Sequence, residues 1–214
     1  PQSLLAYLLL HRHAPQPRQY LAFQLWPDSS ESQARSNLRN LLHSLRHTLP
    51  DADTFLLTDA QTLQWNPQAP FTLDVADFEK ALTCAEQATD PAAVRRYLEE
   101  AITAYGGDLL PGNYDDWLSG RREELRRQQI DALHKLVHLL GQAGDYRAAL
   151  RYSQRLLQQD VLDEASYVLQ MQLYAFLGER AAIRRVYQSC VEVLARELEV
   201  DPSPTTQAAY EQYL

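Results

Sequence analysis

The most regular pattern of apolar residues in the chain lies between Ser29 and Leu49. These residues recur three and four positions apart, so on an α-helix they fall on one stripe. They are Ala34, Leu38, Leu41, Leu42, Leu45 and Leu49. Ser29 or Ser30 can cap the start of the helix, Glu31 suits its positive end, and Pro50 ends it. The pattern predicts an amphipathic helix over residues 30–48 whose leucine stripe is buried.

The opposite face of this predicted helix carries residue types that bind DNA, and no carboxylate lies on it. Its residues are Arg35, Ser36, Arg39, Asn40, His43, Arg46 and His47. Arginine can donate two hydrogen bonds to one guanine, and asparagine can form two hydrogen bonds with one adenine. Serine, histidine and further arginines can bind phosphates. Arg39 and Asn40 lie nearest the middle of the face, so they are the favoured base readers. A solvated charged helix face is the alternative interpretation.

Two short helices are predicted before this one and a hairpin after it. Residues 4–10 are almost wholly apolar, and Pro17 suits the first turn of a second helix that stops at Pro27. Residues 54–58 and 62–65 are short β-prone runs that predict a hairpin without Lys or Arg. Three helices and a hairpin make a winged helix, whose last helix enters the major groove of DNA. Arg18, at the start of the second helix, is either a phosphate contact or a solvated arginine.

From Leu73 onward the pattern is helical. A glycine-rich break at 106–112 lacks the lysine of a phosphate-binding loop, so we interpret it as a packed turn anchored by Trp117. Gly144-Asp145-Tyr146 and Gly178-Glu179-Arg180 lie 34 residues apart, the period of tetratricopeptide repeats. The expected fold is mainly α, with a winged-helix domain over 1–70 and a tetratricopeptide-like helical domain over 71–214. Stacked repeats of this kind form a groove that usually receives protein.

Charge is unevenly distributed along the 214 residues. Residues 1–50 hold five arginines against Asp28 and Glu31, a net charge of +3, whereas residues 74–214 have a net charge of −8. Nucleic-acid binding depends on the local patch, so an acidic total does not exclude it. The negative charge of residues 74–214 does argue against DNA contact by the second domain. The chain has no apolar run long enough for a membrane span and no signal-peptide pattern, so we expect a cytoplasmic protein.

The sequence contains no recognisable catalytic or metal-binding constellation. No serine or cysteine has an evident base partner, which predicts a protein that is not an enzyme and needs no cofactor. His11 and His13 lack a nearby third ligand, so no metal site is expected. Cys84 and Cys190 fall on apolar helical stripes and are expected to be buried, reduced thiols. Met171 is the only methionine and the chain opens with Pro1, so we expect a piece of a longer product.

Several motifs together resemble a known family. They are Leu25-Trp26-Pro27-Asp28, Ala34-Arg35-Ser36-Asn37-Leu38-Arg39, Leu45-Arg46, the segment 105–112 with Trp117-Leu118 and Arg121 behind it, Gly144-Asp145-Tyr146, and Ala149-Leu150. In this order they are similar to the Streptomyces antibiotic regulatory proteins and their larger bacterial relatives, which join an OmpR-type winged helix to a bacterial transcriptional activator domain. Winged helices of that family begin with a small N-terminal sheet, whereas this chain starts at the first helix.

The resemblance implies a transcription factor, specifically an activator that binds double-stranded promoter DNA and contacts RNA polymerase. It also implies that the tetratricopeptide-like part acts in homodimer contacts or in regulation. Two other hypotheses remain open from the residues alone. One is a protein-interaction adaptor that works through the helical repeats without binding DNA. The other is a regulator in which a small molecule is sensed by the repeats.

Overall fold

The computed structural model describes all of residues 1–214 and contains eleven helices and three short strands. The chain divides into two compact units. The first unit comprises residues 1–72 and 108–123, and the second comprises residues 73–107 and 124–214. None of the helices combines the length and apolar character that crossing a lipid bilayer requires.

The first unit is a winged helix. Its elements in chain order are α1 (Gln2–Leu10), β1 (Gln16–Pro17), α2 (Arg18–Leu25), α3 (Glu31–Thr48), α4 (Ala52–Phe55), β2 (Leu56–Thr58) and β3 (Thr62–Trp65). The three strands form an antiparallel sheet in the order β1-β3-β2, with Gln16 opposite Leu63 and Leu57 opposite Gln64. The predicted helix and hairpin are therefore confirmed.

The core of the first unit is built around the leucine stripe of α3. Ala34, Leu38, Leu42 and Leu45 are buried, and Leu41 and Leu49 are partly buried against the same core. They share this core with residues of α1, α2 and the sheet. Those residues are Leu4, Tyr7, Leu8, Leu21, Ala22, Leu56, Leu63 and Trp65. Burial of the apolar stripe thus fixes the rotation of α3 about its own axis, so the polar face of the helix points outward.

Two details of the first unit differ from the sequence prediction. Pro17 does not lie in the first turn of α2 but belongs to β1 and is the N-cap of α2. Proline fits there because β1 is an edge strand and its missing N–H is not needed for pairing. Thr54 and Phe55 lie in the single-turn helix α4 instead of the hairpin. That turn follows Asp51, whose φ of 51° is left-handed, and it allows Phe55 to stack on Trp65.

Residues 108–123 pack with the first unit, although the sequence analysis assigned them to the second domain. Trp117 packs against the first-unit core and meets the ring of Tyr7 edge to face at 5.0 Å. Asn113 Nδ2 donates a hydrogen bond to Ser3 Oγ at 2.9 Å. Trp117 therefore anchors the packed turn as predicted, and the turn contacts the winged helix.

The second unit is wholly helical. Its elements are α5 (Asp74–Gln87), α6 (Pro91–Ala104), the part of α7 (Asp116–Gln142) from residue 124 onward, α8 (Tyr146–Gln159), α9 (Glu164–Phe176), α10 (Arg180–Leu198) and α11 (Pro204–Tyr213). α9 packs against α8, α10 and α11. Gly144 and Gly178, the first residues of the two motifs 34 positions apart, have left-handed φ values of +75° and +71° before α8 and α10.

The two cysteines of the second unit are free thiols in different surroundings. Cys190 is fully buried, and burial raises its pKa to about 11, so its thiol is protonated at neutral pH. Cys84 is only half-buried, which corrects the expectation that both are buried. The buried side of α5 is formed by Val75, Phe78, Ala81 and Ala85, and Cys84 lies at the edge of this side, where a side chain remains partly open to solvent.

Candidate nucleic-acid interface

The candidate interface begins with the way α3 is started and held. Ser30 caps the helix because its Oγ accepts a hydrogen bond from the backbone N–H of Gln33 at 3.3 Å. The buried leucines then hold one side of the helix in the core. On the other side the predicted DNA-facing residues lie in a row: Arg35, Arg39, Asn40, His43, Arg46 and His47 are exposed, and Ser36 is half-buried.

The middle of this row has no partner within the protein. No hydrogen bond or ion pair engages the side chains of Arg39 and Asn40, so their donors and acceptors are available to a ligand. The rings of His43 and His47 meet edge to face with their centroids 4.3 Å apart. The residues favoured as base readers are therefore not covered by intramolecular packing.

The two arginines near the ends of the row are engaged by carboxylates. Arg35 donates to Glu31 Oε1 at 2.6 Å, and Glu31 also accepts from Gln19 Nε2 at 3.0 Å. Arg46 donates to Thr58 Oγ1 at 2.7 Å and lies 4.0 Å from Asp53 Oδ1. The helical wheel showed no acidic side chain on this face, but Glu31 reaches Arg35 from one turn earlier on α3, and the fold brings Asp53 of α4 to Arg46. Exposed ion pairs of this kind contribute about 0–1 kcal/mol, so a phosphate can exchange with them.

Arg18 joins the interface from a different element. Its backbone N–H donates to the carbonyl of Gln61 at 2.8 Å, which ties the start of α2 to the hairpin turn. Its side chain lines a cleft together with Arg35 and Arg39. Arg18 was predicted for its position at the start of α2, but its proximity to Arg35, Arg39 and Gln61 has no signal in the sequence, because only the tertiary fold brings these residues together.

The hairpin turn beside this cleft is held by Asp59. Its Oδ1 accepts from the N–H groups of Gln61 and Thr62 at 2.7 and 2.6 Å, and its Oδ2 accepts from Thr62 Oγ1 at 2.7 Å. These bonds lower the pKa of Asp59 below 3.8, with the Thr62 hydroxyl as the largest cause, followed by the two backbone donors. The charged carboxylate thus favours the folded turn.

We expect the hairpin turn to loosen in acid. Because the folded pKa of Asp59 is depressed, its contribution is present above pH 3.8 and is lost as the pH falls through the folded value. The amide resonances of Gln61 and Thr62 in an NMR titration should therefore move toward random-coil positions below that pH. Asp59→Asn should show the loosened positions already at neutral pH. Asp53→Asn, on the exposed carboxylate of α4, is the control, and an equal effect from it would contradict the assignment.

Metal-ligating side chains do not gather at this face or elsewhere. No group of three or more His, Cys, Asp or Glu side chains comes together in the structure. His11, one of the two histidines considered at the sequence level, places Nδ1 2.9 Å from the carbonyl of Tyr7 and stacks on the Tyr7 ring at 4.1 Å.

Comparison with known protein families identifies one that matches most of the chain. The family described as the bacterial transcriptional activator domain matches residues 73–214. The chain belongs to this family. The match confirms the resemblance drawn from the sequence motifs, and it places the chain among bacterial transcription regulators.

One sequence relative and one solved structure are similar to the chain over the winged helix as well. The regulatory protein AfsR of Streptomyces coelicolor is 26% identical over 216 residues, which cover all of this chain and 22% of AfsR. The chain thus spans about a fifth of the length of this curated relative. The solved structure of Mycobacterium tuberculosis EmbR, in complex with a low affinity phosphopeptide, aligns with a TM-score of 0.66 at 18% identity. That alignment covers 98% of this chain and 57% of EmbR, and it shows the shared fold.

Proposed function

We propose that the chain is the DNA-binding and regulatory part of a sequence-specific transcriptional activator, and not an enzyme. In this proposal α3 enters the major groove of promoter DNA, Arg39 and Asn40 contact base edges, and the surrounding serine, histidine and arginine side chains hold the backbone. The helical repeats of the second unit serve contacts with RNA polymerase, with a second copy of the chain, or with a regulator. This assignment to the second unit rests on the family alone.

One observation carries the proposal. The leucine stripe of α3 is buried in the core, whereas Arg39, Asn40, His43 and His47 project from the opposite side without a covering element. A helix with one anchored side and one free side of this composition has the geometry of a recognition helix. The local charge is favourable although the net charge of the chain is −8, because the acidic excess lies in residues 74–214.

The proposal is tested by selecting binding sites from a random-sequence duplex library with the 214-residue chain. We expect enrichment of a common motif and an affinity that falls as salt rises, with a slope of about −0.9 per neutralised phosphate. Arg39→Ala should weaken binding to the selected duplex by roughly tenfold because a base or phosphate contact is lost. Arg184→Ala, an exposed arginine on α10, is the matched control and should leave the affinity unchanged.

Failure of the proposal would be equally clear. A chain that keeps its tryptophan fluorescence and helical circular dichroism, yet retains no duplex from the library at low salt, would contradict DNA binding. Equal losses from Arg39→Ala and Arg184→Ala would show that the affinity comes from total charge and not from α3.

A further inference from the structure

Three arginines from two helices meet at one cleft beside the hairpin turn. The cleft has a volume of about 560 Å³ and is lined by Arg18 of α2, Arg35 and Arg39 of α3, and Ala60 and Gln61 of the turn. Arg35 and Arg39 also belong to the polar face of α3, so the cleft is continuous with the candidate interface. Its occupant must therefore be compatible with a ligand that lies along α3.

The cleft contains donors that the protein does not satisfy. Arg18 Nε is shielded from solvent and has no hydrogen-bond partner. Arg39 has no partner either, so of the three guanidinium groups only that of Arg35 is paired, with Glu31. A shielded donor without a partner is unfavourable, and rotation of the Arg18 guanidinium group toward an anion in the cleft removes that penalty. The arrangement thus favours an acceptor with negative charge.

The start of α2 adds to this preference. α2 begins at Arg18, whose own N–H is bonded to the Gln61 carbonyl, and no side chain caps the N–H groups that follow it in the first turn. Uncapped N–H groups at the start of a helix attract anions, and phosphate oxygens match the paired donors of a guanidinium group. Two carboxylates oppose an anion here. Glu31 is bound to Arg35, and Asp59, whose pKa is lowered in small part by Arg18, is already committed to the turn.

We propose that this cleft seats a single phosphodiester of duplex DNA, and that Glu31 occupies Arg35 in its place while the protein is free. The proposal rests on the proposed function, and it separates the roles of the interface residues. Arg18 and Arg35 position the backbone, so they contribute affinity without sequence preference. Asn40, which lies outside the cleft, and Arg39, which lines the cleft but also lies in the exposed middle of α3, are left to contact bases. Binding of DNA then includes an exchange in which the phosphate displaces the Glu31 carboxylate from Arg35.

The exchange makes opposite predictions for two substitutions. Arg18→Ala should reduce the steepness of the salt dependence by about 0.9, because one phosphate contact is lost. It should weaken a selected duplex and a random-sequence duplex by the same factor. Glu31→Gln should strengthen both by about two- to fivefold, since Arg35 no longer has a competing charge. Arg18→Lys should keep most of the salt dependence, because it retains the charge but lacks the paired donors.

The measurement is fluorescence anisotropy of a labelled random-sequence duplex with the 214-residue chain, over a series of salt concentrations. Arg184→Ala is the control for general charge. If the wild-type chain binds the duplex but Arg18→Ala leaves the salt slope unchanged, the cleft proposal is overturned and the proposed function stands. If the wild-type chain binds no duplex, the proposed function fails and the assignment of the cleft to DNA fails with it.

A second measurement distinguishes a DNA phosphate from a free anion. The Nε–Hε resonance of Arg18 should shift on adding the duplex but not with inorganic phosphate at about 1 mM, where only a tight single-ion site would fill. Saturation of this resonance by inorganic phosphate in that range would assign the cleft to a small free anion. It would overturn the proposal even if the duplex binds elsewhere on α3.

Discussion

Replacing Leu63 with alanine is expected to destabilise the first unit by about 2–5 kcal/mol. Leu63 lies in the middle strand β3 and is completely buried in the core that holds the leucine stripe of α3. Removal of its side chain loses apolar burial and leaves a cavity that this small sheet cannot close. Because the same core fixes the rotation of α3, we also expect weaker DNA binding near the unfolding midpoint.

The measurement uses the tryptophans as a selective probe. All three, Trp26, Trp65 and Trp117, belong to the first unit, so urea unfolding followed by tryptophan fluorescence reports that unit alone. Leu57→Ala is the matched control: Leu57 lies on the neighbouring strand β2 and is 45% exposed, so its truncation should cost within about 0.5 kcal/mol. Equal shifts for the two variants would contradict the assigned facing of the hairpin.

Of the strands in the first unit, β3 could be predicted from the sequence, whereas β1 could not. The β-prone run 62–65 predicted a strand, and in the structure its Leu63 and Trp65 alternate with polar residues and lie in the core. The two-residue strand β1 carries no such signal, because two residues cannot display a period. Its pairing with β3 places Gln16 opposite Leu63, which is distant in the sequence, so no local pattern could have predicted it.

For the candidate interface, the orientation of the side chains could be predicted from the sequence, but most of their partners could not. The spacing of the leucines was sufficient to predict which side chains of α3 face outward, since a helix of 18 residues presents five turns of a regular pattern. The partners of those side chains are of two kinds. Glu31 was identified only as a favourable residue for the helix start, although its spacing of four from Arg35 is that of an ion pair along one helix. Its bond to Gln19, and the contacts of Arg46 with Thr58 and Asp53, join different elements, so they are tertiary and leave no periodic trace.

The second large effect is expected from Arg122→Ala. Arg122 was not among the residues selected from the sequence, yet its guanidinium group donates to three backbone carbonyls of the preceding turn. Its Nε reaches Leu109 O at 2.6 Å, and its Nη2 reaches Leu110 O and Asn113 O at 2.5 Å each. Leu110 has a left-handed φ of 48°, an uncommon conformation for a residue with a branched side chain. Arg122 therefore stabilises a strained turn.

We expect Arg122→Ala to destabilise the first unit by about 2–3 kcal/mol, because three carbonyls lose a charged donor and water can replace it only in part. Arg122→Lys should recover some of this loss, since an ammonium group keeps the charge but lacks the planar set of donors that serves three acceptors at once. Arg127→Ala, an exposed arginine on the same helix, provides the control for removal of an arginine from α7.

The effect can be measured at two levels. Tryptophan fluorescence during urea unfolding gives the loss for the whole unit, because Trp117 lies in the same segment as Arg122. Hydrogen exchange gives the local effect, since the N–H of Asn113 bonds to Leu110 O at 3.1 Å and should lose protection first when the turn opens. If Arg122→Ala left both quantities at the values of Arg127→Ala, the three carbonyl contacts would contribute nothing to stability. The packing of Trp117 against the winged-helix core would then be sufficient to hold residues 108–123 in place.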